Sequence, residues 1–217
     1  MKKSNPANEN VLALTAAQCA GLVENIGSSG LVPALLKLGH EVCRADFVSI
    51  FCQGDRDVPL LVGTDSCKGK RRAEQAAQGY TRHIDQDPNT ALLSGSKGEG
   101  DFLTHQDAAD IKSFTYRRDC YDLPGIAGRT SLVRRTSTYG LSVSLYTAEE
   151  TGVFDQPNRA KAEALLAFLL PAIQASPTAN EKLPQWRSRD APPRRPRRFW
   201  GWQKPPSSPT GRMPINA

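Results

Sequence analysis

Residues 139–147, Tyr-Gly-Leu-Ser-Val-Ser-Leu-Tyr-Thr, decide how the chain is expected to fold. Apolar and polar side chains alternate strictly in this run, with the period of two that is typical of a β-strand. We predict a half-buried antiparallel strand, paired through a tight turn at residues 136–138 with a strand at residues 129–136. The two faces comprise Leu141, Val143 and Leu145 on one side and Ser142, Ser144 and Tyr146 on the other.

The segments before this strand complete an α+β pattern. Residues 46–52 are apolar on both faces, which indicates a central strand, and Pro59 in the following apolar run indicates an edge strand or the start of a strand. Helical periodicity predicts helices at residues 11–26, 69–84 and 155–176, and a leucine stripe predicts another between the first helix and the first strand. We therefore predict a mainly antiparallel sheet with helices packed against it.

Composition divides the 217-residue chain into three parts. Residues 177–217 hold nine Lys and Arg against two acidic residues, a net charge of +7, whereas the whole chain carries +6, which leaves −1 for the rest. The same 41 residues hold nine prolines, so we predict a disordered Arg/Pro-rich tail. Residues 1–10 are predicted to be a flexible N-terminus, and residues 11–176 to form the folded domain.

Cysteine usage and hydropathy indicate a cytoplasmic protein. The five cysteines are widely spaced and form no C-x-x-C motif, which argues against a disulfide framework or a zinc site. No apolar run reaches about 18 residues, so we predict no membrane span and no membrane partner.

Catalytic and metal-binding motifs are sparse. His40 and Cys43 lie three residues apart on a helix, but no third ligand is evident from spacing, and we predict no metal and no cofactor. The glycine-rich residues 95–100 lack the Gly-Lys-Ser/Thr ending of a phosphate loop. We therefore predict that the protein is not an enzyme, although spacing leaves a Cys–His nucleophile pair open.

The densest group of functional side chain types lies in residues 110–132. Tyr116, Arg117, Cys120 and Tyr121 can share one side of a short helix and line a pocket with polar groups. The alternative is structural: one of the arginines pairs with a nearby aspartate, and the tyrosines pack with their hydroxyl groups satisfied.

Residues 116–126 (YRRDCYDLPGI) and 129–132 (RTSL) resemble the amino-terminal regulatory region of LuxR-type bacterial transcription regulators. Residues 165–173 (LLAFLLPAI) are similar to the helix that leads from that region into the DNA-binding part. The resemblance covers most of residues 11–176 and implies a GAF-like sensor fold. It also implies a helix-turn-helix after the domain, yet residues 177–217 show no such pattern, and we hypothesise that this tail is out-of-frame translation of a GC-rich gene.

Two functions follow as hypotheses. The first is a sensory module that binds an unknown small-molecule ligand or forms a homodimer. The alternative is nucleic-acid binding through phosphate contacts and base stacking by the tail, in which case DNA would be a direct partner. A degenerate remnant without activity is a third reading. The nucleic-acid residues would be Arg194, Arg195, Arg197, Arg198, Trp200 and Trp202.

Overall fold

One five-stranded antiparallel sheet organises the domain. The computed structural model describes residues 12–54, 58–94 and 98–175. The strands are β1 Phe47–Gly54, β2 Leu60–Ser66, β3 Gly100–Asp107, β4 Ile126–Arg135 and β5 Tyr139–Ala148. Their order across the sheet is β2-β1-β5-β4-β3. The helices are α1 Ala16–Val23, α2 Leu31–Cys43, α3 Lys70–Arg82, α4 Pro88–Leu93, α5 Phe114–Arg117 and α6 Gln156–Ala175. The predicted α+β, GAF-like fold is confirmed.

Helices α2 and α6 cover one face of the sheet, which we call the apolar face. Leu141, Val143 and Leu145 of β5 point into this core, as the alternation predicts. The helix α6 begins after Asp155, whose carboxylate accepts a hydrogen bond from the Asn158 N–H at 2.8 Å, the N-cap geometry expected at that position. Burial of a leucine side chain contributes about 1.5–3 kcal/mol. Four leucines of α6 have no exposed surface, namely Leu165, Leu166, Leu169 and Leu170.

Helices α3, α4 and α5 cover the opposite face, which we call the polar face. The prediction of a half-buried β5 is wrong on this side, because Ser142 and Ser144 are 3% and 2% exposed. The burial of Ser144 is tolerated because its hydroxyl group finds a partner on the neighbouring strand. Ser131 and Ser144 share a hydrogen bond of 2.8 Å, and Ser49 and Tyr146 share another of the same length.

The structure contains two elements that the sequence pattern does not reveal. Strand β3 forms an edge of the sheet beside β4, at residues for which the sequence pattern predicts no strand. Helix α4 begins at Pro88, where the sequence pattern predicts only the end of the preceding helix. Asp87 is its N-cap and accepts the Asn89 N–H at 2.8 Å.

The remaining boundaries shift by a few residues. Helix α1 begins later than predicted because Thr15 and Gln18 form a capping box at its start. Strand β2 lies at the other edge of the sheet, as Pro59 predicts. In the described part of the chain, no helix is both long and apolar enough to cross a membrane. The predicted flexible N-terminus, residues 1–10, and the predicted tail, residues 177–217, lie outside the described residues.

Candidate functional site

A small cavity lies on the polar face between the sheet and the elements above it. Its floor is formed by strands β1, β2, β4 and β5. Its roof, as we use the word below, consists of α3 and residues 114–122. The space open to a water molecule is about 30 Å³, which is room for a single water. The lining residues are Phe47, Ser49, Phe51, Thr64, Ala76, Ala77, Tyr80, Tyr116, Cys120, Tyr121, Ile126, Arg129 and Tyr146.

A π-helical turn at Arg118–Asp122 shapes the roof. It follows α5 directly and is closed by a hydrogen bond from the Leu123 N–H to the Arg118 carbonyl at 2.9 Å. The wider turn places Tyr116, Cys120 and Tyr121 together over the sheet, and single π turns occur often at functional sites. The Tyr116 and Tyr121 rings meet edge to face, with centroids 5.9 Å apart.

A buried ion pair lies under the roof. Arg129 of β4 donates two hydrogen bonds to the Asp87 carboxylate, at 2.6 and 2.9 Å. The side chains are 3% and 0% exposed, respectively, so the pair is held away from water. Two-pronged geometry offsets part of the cost of burying these charges, because both carboxylate oxygens are satisfied at once.

Gln106 of β3 joins this ion pair to the roof. Its Oε1 accepts hydrogen bonds from Arg129 Nη2 at 2.9 Å and from the Tyr121 hydroxyl at 2.7 Å. The Tyr116 hydroxyl donates to the same oxygen at 3.3 Å. Arg129 Nε is buried and has no hydrogen-bond partner among the described residues. Arg129 also lines the cavity, so one side chain of the lining carries a donor that has no partner among the described residues.

The cavity keeps its acidic groups protonated. Burial raises the pKa of Tyr80, Tyr116 and Tyr121 far above the ordinary value for a phenol. Burial, with a further contribution from Asp87, raises the pKa of Cys120 to about 12. Since the ion pair neutralises itself, the lining is neutral overall and largely aromatic, an environment that favours an uncharged ligand.

Asp119 fastens the two parts of the roof to each other. It accepts hydrogen bonds from Arg118 Nε at 2.8 Å and from His83 Nε2, at the end of α3, at 2.7 Å. These hydrogen bonds lower the pKa of Asp119 to about 2. Beside this contact α3 touches the π turn at Gly79, where a Cβ atom would lie 2.2 Å from the Asp119 carbonyl oxygen.

The structure brings three of the four predicted pocket residues together. Tyr116, Cys120 and Tyr121 all line the cavity. Arg117 is not among the residues that line it. Its guanidinium forms a surface ion pair with Asp122 at 3.3 Å, and both side chains are 39% exposed. The structural alternative of arginine–aspartate pairing is thus also present beside the cavity.

The other candidate residues lie elsewhere. The Cys43 thiol is buried in the apolar core and donates to the Gly39 carbonyl, so it does not pair with His40. The predicted nucleic-acid set, Arg194, Arg195, Arg197, Arg198, Trp200 and Trp202, lies outside the described residues. Nucleic-acid binding by the tail stays a prediction.

Sequence reasoning missed the polar residues that organise the cavity. Arg129 is part of the quoted RTSL segment, and the alternation of β4 could have assigned it to the same face as Ser131. Asp87 and Gln106 gave no local signal, because their partner lies 42 and 23 residues away along the chain.

Two solved structures have a similar fold. The chain is similar to the LBD domain of VqsR from Pseudomonas aeruginosa, with a TM-score of 0.53 and 16% identity over 73% of this chain and 93% of the other. It is also similar to CepR2 from Burkholderia cenocepacia, an N-acylhomoserine lactone-dependent LuxR family transcription factor. That match has a TM-score of 0.53 and 12% identity over 76% of this chain and 99% of the other. No protein-family model and no curated protein sequence matches the chain.

Proposed function

We propose that the domain is the sensory module of a LuxR-type transcription regulator and binds a small uncharged molecule in the cavity of the polar face. The observation that carries this proposal is the buried Arg129 Nε, which has no acceptor among the described residues and belongs to a side chain that lines an aromatic cavity. A carbonyl oxygen on the ligand would complete that hydrogen bond, while the tyrosine rings would cover the ligand's apolar part.

The roof has to move for such a ligand to enter. A cavity of about 30 Å³ is far smaller than the roughly 300–1,000 Å³ of ordinary ligand pockets. The roof packs on the sheet through a small cluster that includes Phe51 and Tyr80, and its tyrosines donate hydrogen bonds to Gln106 of β3. A small cluster of this kind opens more readily than the leucine core of the apolar face. Ligand binding would therefore select a conformation in which α3 and the π turn lie further from the sheet.

The module acts by binding and not by catalysis in this proposal. The Cys120 thiol has a pKa of about 12, and the buried tyrosines are protonated, so none of these groups is an activated nucleophile. A homodimer stays a prediction, as does recruitment of DNA through the tail or through a separate DNA-binding protein.

Paired alanine-to-leucine variants test the proposal. Ala77 lines the cavity from α3, whereas Ala167 is exposed on α6. A panel of uncharged carbonyl compounds would be screened by calorimetry. The panel includes N-octanoyl homoserine lactone, because CepR2 is N-acylhomoserine lactone-dependent. We expect Ala77→Leu to weaken the binding of a hit at least about tenfold, because the leucine occupies the cavity.

Ala167→Leu is the matched control and is expected to bind the same hit as the wild-type protein does. The proposal is wrong if no compound in the panel binds, or if the two variants bind every hit equally well.

A further inference from the structure

Three side chains with nitrogen, oxygen and sulfur donors meet at one end of the sheet, away from the cavity lining. Asp46 precedes β1 and Cys67 follows β2, and the antiparallel pairing of these strands puts them side by side. The Cys67 N–H donates to the Asp46 carbonyl at 3.0 Å. Helix α2 is followed by Arg44, whose backbone has a left-handed conformation. The resulting tight turn brings His40, in the last turn of α2, close to Asp46 and Cys67.

The donor atoms are spaced as the ligands of a metal ion are. Cys67 Sγ lies 3.3 Å from Asp46 Oδ1 and 3.9 Å from His40 Nδ1. His40 Nδ1 lies 3.8 Å from the same carboxylate oxygen. Tetrahedral zinc with ordinary bond lengths separates such donors by about 3.4–3.6 Å, so each distance needs to change by only a few tenths of an ångström.

The Asp46 carboxylate is held in place by groups outside the cluster. Its side chain is 1% exposed, and its Oδ2 accepts the Ala148 N–H at 2.8 Å. The carboxylate is therefore held in one orientation, as the carboxylates that bind metals commonly are.

We propose that His40, Asp46 and Cys67 bind one divalent cation of borderline softness, with Zn²⁺ as the best match. Thiolate, imidazole and carboxylate together select zinc over magnesium or calcium, which prefer oxygen ligands alone. In the described part of the chain, this is the group of three such residues whose donor atoms converge within 4.8 Å. Three protein ligands leave a fourth position for water.

Two contacts must yield when the cation binds. His40 Nδ1 donates to the Ala45 carbonyl at 3.0 Å, so binding requires the tautomer that carries its proton on Nε2. The Lys68 ammonium lies 3.6 Å from Asp46 Oδ1 and has to swing into solvent. The Cys67 sulfur loses its proton to the buffer as the metal–sulfur bond forms. His40 and Cys67 are exposed, so a cation reaches them directly from solvent.

Cobalt titration of the full chain tests the site. The tag-free protein, stripped of metal with a chelator, would be titrated with Co²⁺ and followed by the thiolate-to-cobalt charge-transfer band and the visible bands of tetrahedral Co²⁺. We expect one equivalent to bind and Zn²⁺ to displace it. We expect Cys67→Ser to abolish the charge-transfer band. His40→Asn removes a ligand and should weaken binding by at least the upper end of the about 10- to 100-fold that loss of a group hydrogen-bonded to a ligand costs.

Cys19→Ser and His105→Asn are the matched controls, because both residues are partly or fully exposed and lie outside the cluster. They are expected to leave the cobalt spectrum unchanged, and circular dichroism would verify that every variant is folded. The proposal is overturned if the wild-type protein shows no charge-transfer band, or if the band survives in the Cys67→Ser variant. Neither result bears on the cavity of the polar face, so this proposal and the sensory function fail or succeed separately.

Discussion

The two faces of the sheet are buried to a similar degree but by opposite means. The apolar face is closed by α2 and α6 with leucine, valine and isoleucine side chains, among them Leu166 and Val143, which have no exposed surface. The polar face carries a buried arginine, several serines, tyrosine hydroxyl groups and a small aromatic cluster under α3, α4 and α5. The same strands supply both faces, because successive side chains point to opposite sides.

The two faces therefore differ in how strictly they constrain the geometry of their side chains. Apolar contacts are non-directional, so the apolar face tolerates any side chain of suitable shape. The polar face depends on a connected set of hydrogen bonds from Asp87 through Arg129 and Gln106 to Tyr116 and Tyr121. Such a set fixes one arrangement of the roof and leaves it open to rearrangement by a ligand that offers a competing acceptor.

The largest expected effect comes from breaking the ion pair of the polar face. Arg129→Met leaves the Asp87 carboxylate buried without its partner, and we expect a loss of about 3–5 kcal/mol in the free energy of unfolding. Urea denaturation measures this loss. The double variant Asp87→Asn/Arg129→Met buries no charge and keeps a side chain that can cap α4, so it should recover most of the stability. Equal stabilities of the single and double variants would contradict this account.

A smaller effect is expected where α3 packs against the π turn within the roof. Gly79→Ala places a Cβ atom 2.2 Å from the Asp119 carbonyl oxygen, so α3 has to move away from the π turn. We expect this overpacking to cost about 1–3 kcal/mol in urea denaturation. Gly21→Ala in α1 is the control, because its Cβ meets no atom within 4 Å, and it should stabilise the protein by about 0.5–1 kcal/mol. Stabilisation by both alanines would show that the close contact is absent.

The smallest effect is a pH dependence of the hydrogen bonds that Asp119 accepts within the roof. The folded pKa of Asp119 is about 2, below its ordinary value of 3.8. A lowered pKa stabilises the folded state above the unfolded value, and this contribution disappears as the pH falls from about 4 to about 2. The stability advantage of the wild-type protein over Asp119→Asn should therefore shrink between about pH 5 and about pH 2 in urea denaturation. An advantage that stays constant over that range would rule out the lowered pKa.

Local patterns in the sequence predict the apolar face well. The alternation of β5 and the leucine stripe of α2 each involve neighbours within one element, so periodicity alone assigns them. Strand β3 escapes prediction because its sequence, GDFLTHQD, is mostly polar, and pairing with β4 and not its own hydrophobicity makes it a strand. Tertiary contacts override weak local preferences in such segments.

Only some residues of the two candidate sites can be predicted from the sequence, because the others meet through tertiary contacts. Tyr116, Cys120 and Tyr121 lie close together in the sequence, so a short helix brings them to one surface. Arg129 meets Asp87 across 42 residues, and Cys67 meets His40 across 27 residues. No single-sequence pattern connects residues that far apart, because the fold and not the spacing determines their distance.

The central claim is that the polar face holds a ligand cavity beneath the roof. All five tyrosines are described, and only Tyr80, Tyr116, Tyr121 and Tyr146 of them line the cavity, whereas Tyr139 packs against the apolar core. The most direct measurement is therefore an isotope-filtered NOE experiment on tyrosine-labelled protein with the tightest hit of the carbonyl panel. We expect contacts from the bound compound to the rings of Tyr116 and Tyr121. Contacts to Tyr139 without any to these two rings would contradict it.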